Sequence, residues 1–421
     1  MSGPIMSGQQ VQYHELTCQG CGGHDLEGVL DLGYQPLCNE FVPAKEAVGP
    51  QTYYPLRLCY CQDCTLVQLD YVIPTGQTFG EQYTYLTGSS PSLVDYFSQL
   101  AGKLVSRFDL RPGDAVLEIG SNDGTFLKAF QELGMHVLGV EGAEQPSAIA
   151  KRNDVPTLSR FFGKETTAAI KEQLQPAGRL RLILAMNVLA HTDNINDFLP
   201  EVVALMEPDT MFVSQSHWLP ALLSKFEFDT IYHEHLRYYT LESLAILLRR
   251  HGLYIVDAEI NDFYGGSVLA YASKSSDHQS DGVLSVLKQE QDIGVPQALK
   301  SMKDVLLNNK ACLLNLLVNL KRSGKRVVGI GAPMKASTLL NFYGVTPDLV
   351  EYLAEVNELK IGTVVPGVRI PVLSEDLVFQ SPPDYAILLS WNMAQTIIPK
   401  YREAGYKGKF ILPVPEVEVL E

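Results

Sequence analysis

Asp114-Ala115-Val116-Leu117-Glu118-Ile119-Gly120-Ser121-Asn122-Asp123-Gly124 decides the fold. Its apolar half reads as a buried strand, its glycines open a turn, and Thr125-Phe126-Leu127-Lys128-Ala129-Phe130 starts a helix. Downstream, His136-Val137-Leu138-Gly139-Val140-Glu141 reads as a second strand that ends in an acid. Leu180-Arg181-Leu182-Ile183-Leu184-Ala185-Met186 reads as a third, running into Asn187-Val188-Leu189-Ala190-His191. Strands alternating with helices indicate an α/β, doubly wound parallel sheet. Ligands bind such sheets outside the carboxyl ends of the strands, where Glu141, Asn187 and His191 fall. Position alone leaves His191 equally open to a packing or capping role.

The turn chemistry narrows the ligand. A dinucleotide site shows GxGxxG. Here the pattern is Glu118-x-Gly120-x-x-x-Gly124, with an acid two residues before the first glycine. An acidic loop repels a pyrophosphate and suits a cation. S-adenosylmethionine (AdoMet) carries a sulfonium, an ammonium and a ribose, and no phosphate. The expected cofactor-binding residues are Glu118, Gly120, Asn122, Asp123, Gly124, Glu141 (for the ribose hydroxyls) and Asn187. A bare tight turn and a phosphate-bearing nucleotide are the competing readings.

Outward from this centre the chain divides into three: residues 11–75, 76–285 and 286–421. The last part opens with a long helical stretch, then repeats a strand–turn–helix at Val327-Val328-Gly329-Ile330-Gly331-Ala332-Pro333-Met334-Lys335. Pro333 can start a helix at no hydrogen-bonding cost. Lys335 in a first helical turn opposes the helix dipole unless an anion such as a pyrophosphate sits there. A plain surface lysine is the alternative. Strands around Val350 to Glu355 and Tyr385 to Ser390 follow, the latter running into Trp391-Asn392. This is a second, smaller Rossmann-like unit, with Gly331, Pro333, Lys335 and Asn392 as candidate substrate-binding residues.

The first part holds six of the seven cysteines: Cys18, Cys21, Cys38, Cys59, Cys61 and Cys64, with Cys312 far away. Cys18-x-x-Cys21 and Cys61-x-x-Cys64 are two knuckles, each aiming two thiolates at one ion, and four sulfurs close a tetrahedral, structural Zn²⁺ site. Cys59 alternates with Cys61 along a strand-like run and is a rival ligand. Buried reduced thiols and an iron–sulfur cluster are the alternatives. Cys38 and Cys312 read as core residues.

The chain has 421 residues and a net charge of −15. That charge argues against nucleic acid and anionic membrane surfaces as partners. No apolar run reaches bilayer length, and Met1–Gln10 lacks the pattern of a signal peptide, so a reducing cytoplasm is expected.

Tyr232-His233-Glu234-His235-Leu236-Arg237-Tyr238-Tyr239 is the densest titratable segment. It is not HExxH, because Arg237 stands where the second histidine belongs. Histidine is the natural base near neutral pH, and a tyrosine can donate to a developing oxyanion. Transfer of a methyl to carbon needs a base and a stabilised enolate; transfer to oxygen or nitrogen needs at most one simple deprotonation. Thr240 reads as the cap of a following helix.

Taken together, the motifs resemble the AdoMet-dependent C-3 methyltransferases of nucleotide-linked 4-keto-deoxysugars. The resemblance covers nearly the whole chain. It runs through the cysteine knuckles with Leu30-Asp31-Leu32-Gly33-x-x-Pro36-Leu37 and Cys64-x-Leu66-Val67-Gln68-Leu69, then the 117–124 turn and 187–191. It ends with Tyr232 to His235, Gly265-Gly266-Ser267 and Gly331-Ala332-Pro333-x-Lys335. It implies a monomer of three domains: zinc-binding, AdoMet-binding and a C-terminal Rossmann-like domain for the nucleotide sugar. It also implies roles. His235 removes the C-3 proton, Tyr232 stabilises the oxygen at C-4, and Glu234 and His191 occupy further active-site positions. Tyr83-Thr84-Tyr85-x-x-Gly88-Ser89-Ser90 resembles the family's tyrosine flap, with Tyr83 and Tyr85 both open as its functional residue. Where relatives often read Gly-Tyr-Gly-Ala-Pro-Ala-Lys-Gly, this chain has Ile330, Met334 and Ala336, so thymidine, guanosine and cytidine all stay open. The competing functions are an O- or N-methyltransferase, a C-methyltransferase of a non-sugar ketone, and a binding protein with vestigial sites.

Overall fold

The computed structural model describes residues 17–78, 83, 85–174, 178–275 and 279–421. Met1–Gln10 and Thr84 lie outside them.

Ala115–Ile119 is buried at every position, as a strand covered on both faces must be. It sits inside a seven-stranded sheet. The order is Tyr254–Asn261, Ser267–Ser273, Met211–His217, Leu180–Met186, Ala115–Ile119, His136–Val140, Thr157–Leu158. Ser267–Ser273 runs antiparallel to both neighbours, and the other pairings down to Thr157–Leu158 are parallel. The chain leaves Ala115–Ile119 toward one edge and returns at Leu180–Met186 on its other side. That reversal opens a crevice at the carboxyl ends of these two strands.

The C-terminal sheet has six strands, ordered Val372–Ser374, Leu353–Glu355, Val327–Ile330, Tyr385–Leu388, Lys409–Leu412, Glu418–Leu420. Only the last pair is antiparallel. The long helix is Val295–Arg322. It buries Val295, Leu299, Met302, Leu306, Asn309, Leu313 and Leu317, an apolar stripe at three- and four-residue spacing. This stripe packs into one core with Leu30 and Leu58 of the N-terminal sheet and Val328 and Leu388 of the C-terminal sheet.

The N-terminal sheet departs from a simple split of the chain. Its four strands are Leu26–Gln35, Tyr54–Cys61, Val67–Leu69 and Arg237–Tyr238. Arg237 pairs with Gln68 and Tyr238 with Val67. The segment read as part of the middle domain therefore supplies an edge strand to the cysteine-bearing sheet. Val42–Pro43 pairs likewise with Thr363–Val364 of the C-terminal part. Leu241–Arg250 is helical behind Thr240, whose hydroxyl accepts from the Ser243 N–H at 3.0 Å.

Among the described residues, no helix is long and apolar enough to cross a membrane.

Candidate active site

A cavity of about 580 Å³ opens at the crevice. It is lined by Glu118, Gly120, Asn122, Glu141, Asn187 and His191 from the central sheet. Tyr83, Tyr85, Tyr232, Glu234 and His235 line it too, with Lys335 and Asn392 reaching in from the C-terminal part. Asp123, Gly124, Gly331 and Pro333 are not among its lining residues.

At the cofactor end, Glu118 is buried and its Oε2 has no hydrogen-bond partner among the described residues. Burial, then the charges of Asp123 and Glu141, push its carboxyl well above the usual range. A cation relieves such a cluster and a phosphate aggravates it. Glu141 accepts the Asn122 N–H at 2.8 Å on one oxygen and the Ala143 N–H at 2.7 Å on the other. Each oxygen keeps a further lone pair, which suits paired ribose hydroxyls. Gly120 has φ 68°, and a Cβ there would lie 2.5 Å from Val188 Cγ2. The turn thus requires glycine on two counts.

Asp123 and Asn122 do positional work. Asp123 accepts from the Gly88 N–H at 2.7 Å and the Thr125 hydroxyl at 2.6 Å. Asn122 accepts the Thr87 N–H at 2.8 Å and donates to the Tyr85 carbonyl at 3.1 Å. The Tyr85–Gly88 segment is thereby tethered to the Glu118–Gly124 turn. Gly124 precedes the Thr125–Glu132 helix in a left-handed conformation.

Tyr232 to His235 form a turn, not a strand: the His235 N–H donates to the Tyr232 carbonyl at 2.9 Å. Residues three apart are thus folded onto one another, and the Tyr232 and His235 rings stack with centroids 4.0 Å apart. His235 Nδ1–H donates to the Thr230 carbonyl at 2.8 Å, which leaves the lone pair on Nε2. Burial, then the His191 charge, holds His235 well below the usual imidazole range, so it is a neutral base at physiological pH. His191 donates through Nδ1 to the Glu234 carbonyl at 2.7 Å, and its ring lies 4.9 Å from His235. Burial lowers it to about 4. Glu234 accepts from Asn39 Nδ2 at 2.6 Å and lies 3.7 Å from the Cys38 thiol, so the N-terminal part reaches the site directly. Burial pushes Glu234 up to about 7, with the Asn39 and Cys38 donors pulling the other way.

On the far wall, Lys335 falls in the first turn of the Met334–Tyr343 helix. Its Nζ donates to Asn392 Oδ1 at 3.0 Å, lies 3.6 Å from Asp229 Oδ2, and sits over the Trp391 ring at 4.5 Å. It is no surface lysine: its side chain is 13% exposed. Pro333 stands directly before that helix, and Gly331 packs near Ser390.

The sulfurs of Cys18, Cys21, Cys61 and Cys64 all lie within 4.8 Å of one another. Cys18 and Cys64 are 3.5 Å apart, and Cys21 and Cys61 are 3.7 Å apart. Zn–S bonds of about 2.3 Å place tetrahedral sulfurs roughly 3.8 Å apart, so the group fits zinc with no position left for substrate. Cys59 is not in this group. Its thiol lies buried, and burial pushes it up to about 11. Cys38 is buried as expected, but Cys312 is exposed on the long helix, because it falls off the apolar stripe.

Comparison with known proteins follows this geometry. A family described as C-methyltransferase C-terminal domain matches residues 262–415. A methyltransferase domain family matches 94–258, and a zinc binding domain family 18–79. C-methyltransferase NovU of Streptomyces niveus is 33% identical over 409 residues, 96% of either chain. The chain belongs to this family of C-methyltransferases. A ubiquinone biosynthesis O-methyltransferase of Rhodopseudomonas palustris (strain BisA53) is 28% identical over 114 residues, 25% of this chain and 44% of its own. Among solved structures, magnesium protoporphyrin IX methyltransferase from Synechocystis PCC 6803 with bound SAH is 16% identical. It covers 43% of this chain and 83% of its own, with a TM-score of 0.33.

Sequence reading missed residues that line or adjoin the cavity of this AdoMet-dependent C-methyltransferase. His217 ends the Met211–His217 strand and lines the cavity, as do Glu227 and Thr230. His217 carried the same signal as Asn187, a polar residue at a strand's carboxyl end. Asn39 carried none, since its partner Glu234 is 195 positions away.

Proposed function

We propose that this C-methyltransferase methylates C-3 of a nucleotide-linked 4-keto sugar through an enolate. The observation that carries the reading is the stacked Tyr232–His235 pair, facing a cavity that Glu118, Glu141 and Lys335 also line. Glu118 and Glu141 would hold AdoMet, whose sulfonium methyl would pass to the enolate carbon as the S–CH₃ bond breaks and S-adenosylhomocysteine leaves. His235 Nε2 takes the C-3 proton, and the C–H electrons move into the enolate. The Tyr232 hydroxyl donates to the oxygen at C-4 as charge grows there; burial pushes that phenol well above its usual range, so it stays protonated. Lys335 and Asn392 hold the anionic nucleotide end. Both flap tyrosines, Tyr83 and Tyr85, line the cavity, and Tyr83 is our candidate over the reacting carbon. Tyr85 instead contacts Tyr264 at the flap, 3.3 Å between hydroxyls.

The test is incubation with AdoMet and thymidine-, guanosine- and cytidine-diphosphate 4-keto sugars in D₂O. The expected result is deuterium exchange at C-3 and a carbon-bound methyl in the product NMR. Absence of both across the panel sinks the reading.

Glu234 gives a pH prediction. Above about 7 its carboxylate is ionised and adds a negative charge to the cavity in which the proton is taken up; below, it gains a proton and that charge is lost. The expected kcat/KM profile falls as pH drops through about 7 in the wild type. The inflection is expected to vanish in Glu234→Gln, with a uniformly lower rate. An unchanged profile in the variant assigns the inflection to another group.

A further inference from the structure

His217 and Glu227 face the cavity, and no step above uses them. His217 Nε2 lies 3.4 Å from Glu227 Oε2, with side-chain exposures of 13% and 2%. Neither His217 Nε2 nor Glu227 Oε1 has a hydrogen-bond partner among the described residues. Buried polar atoms in folded proteins are nearly always paired, so two unpaired ones in one cavity wall call for a ligand. The surrounding backbone is shaped to leave this carboxylate room. Gly265 has φ 86°, and a Cβ on it would lie 2.2 Å from Glu227 Oε2. Lys225 Nζ ties that hairpin down through the Gly265 carbonyl at 2.5 Å.

Location identifies which ligand the pair serves. The His217 strand is two strands from that of Glu118, about 10 Å at ordinary strand spacing, and so lies away from the cofactor acids. His217 is near enough to His235 for its charge to weigh against protonating it. Glu227 acts in the same way on Asp229, the partner of Lys335. Both residues line the same cavity as His235 and Lys335, and Glu227 stands two positions before Asp229, the partner of Lys335. Chemistry narrows the group it takes. A phosphate is repelled by Glu227. A carbonyl only accepts and an ammonium only donates. A hydroxyl donates to Glu227 Oε1 and accepts from His217 Nε2–H.

We propose that His217 and Glu227 form a subsite for the C-2 hydroxyl of the substrate sugar. This rests on the ketosugar reading: with C-3 at His235 and the diphosphate on C-1 toward Lys335, C-2 lies between them. The subsite makes the enzyme selective for sugars that keep this hydroxyl.

The test compares a nucleoside-diphosphate 4-keto-6-deoxyhexose carrying the C-2 hydroxyl with its 2-deoxy counterpart, using the nucleotide that supports exchange. The expected wild-type preference in kcat/KM is at least about 100-fold, because a site built to hydrogen-bond a hydroxyl rejects its absence. Glu227→Gln is expected to cut the preference to below about tenfold, chiefly through KM for the hydroxylated sugar. His217→Gln serves as a second variant, and thermal unfolding of both checks that they fold. A wild type that turns over both sugars within roughly threefold overturns the subsite, as does a preference that survives both variants. If both sugars exchange deuterium at C-3 equally, the subsite alone fails. If neither exchanges, the ketosugar reading falls and takes the subsite with it.

Discussion

Replacing His235 with Asn is expected to abolish deuterium exchange at the reacting carbon and to lower kcat by roughly 1000-fold or more, within the range for removing a general base. The substitution is conservative where structure is concerned. An Asn amide can still donate to the Thr230 carbonyl that His235 bonds at 2.8 Å, so the turn keeps its anchor. What it loses is the Nε2 lone pair. His191 is a poor substitute because its ring lies 4.9 Å from that of His235, beyond hydrogen-bond reach of a proton presented to His235. AdoMet affinity, measured by calorimetry, is expected to stay within about twofold, because Glu118 and Glu141 belong to the Ala115–Ile119 strand and the end of the His136–Val140 strand, not to the turn that holds His235. Full turnover by His235→Asn removes it as the base.

Cys61→Ser, or chelation of the metal, is expected to unfold the N-terminal sheet and the catalytic segment together. Zinc binding to four thiolates contributes on the order of 10 kcal/mol in small zinc modules, as much as many whole domains are stable. Cys61 closes the Tyr54–Cys61 strand, which pairs with Val67–Leu69, which in turn carries Arg237–Tyr238. Inside the first knuckle, Gln19 Oε1 accepts from Arg237 Nη1 at 2.6 Å. Arg237 is buried and also donates to the Leu189 and Thr192 carbonyls, beside His191. Losing the metal therefore frees a buried guanidinium two residues from His235. Elemental analysis of the wild type is expected to find about one zinc per chain. The variant is expected to hold much less and to melt more than about 10 °C lower. Unchanged metal content or melting temperature in Cys61→Ser would falsify the four-sulfur assignment.

The local chemistry was legible because short stretches of chain carry it. The buried run at 115–119, the Glu118 to Gly124 turn and the acid at 141 are contiguous or one strand–helix unit apart. Helical periodicity and turn glycines act over such distances, so residues fix them locally. The same holds for the cysteine knuckles, where a two-residue spacing dictates which way the thiolates point. Misreadings arose where neighbours in space are strangers in sequence. Cys59 alternates with Cys61, but Cys18 and Cys21 converge on the strand's end and leave Cys59 in the core. Cys312 looked like filler until the helix phase turned it outward.

By itself, then, the sequence determined an α/β chain with a cofactor turn built for a cation, a four-thiolate metal site and a histidine–tyrosine segment. Periodicity, spacing and residue chemistry are sufficient for each. Only the tertiary structure decided that Tyr232 to His235 form a turn that brings imidazole against phenol, and that Arg237–Tyr238 belong to the cysteine-bearing sheet. Nor could the sequence place Asn39, His217, Glu227 and Lys335 around one cavity. Those contacts join residues far apart along the chain. They are selected by tertiary packing, such as that of the N-terminal and C-terminal sheets against the long helix, not by any local preference of the residues that make them.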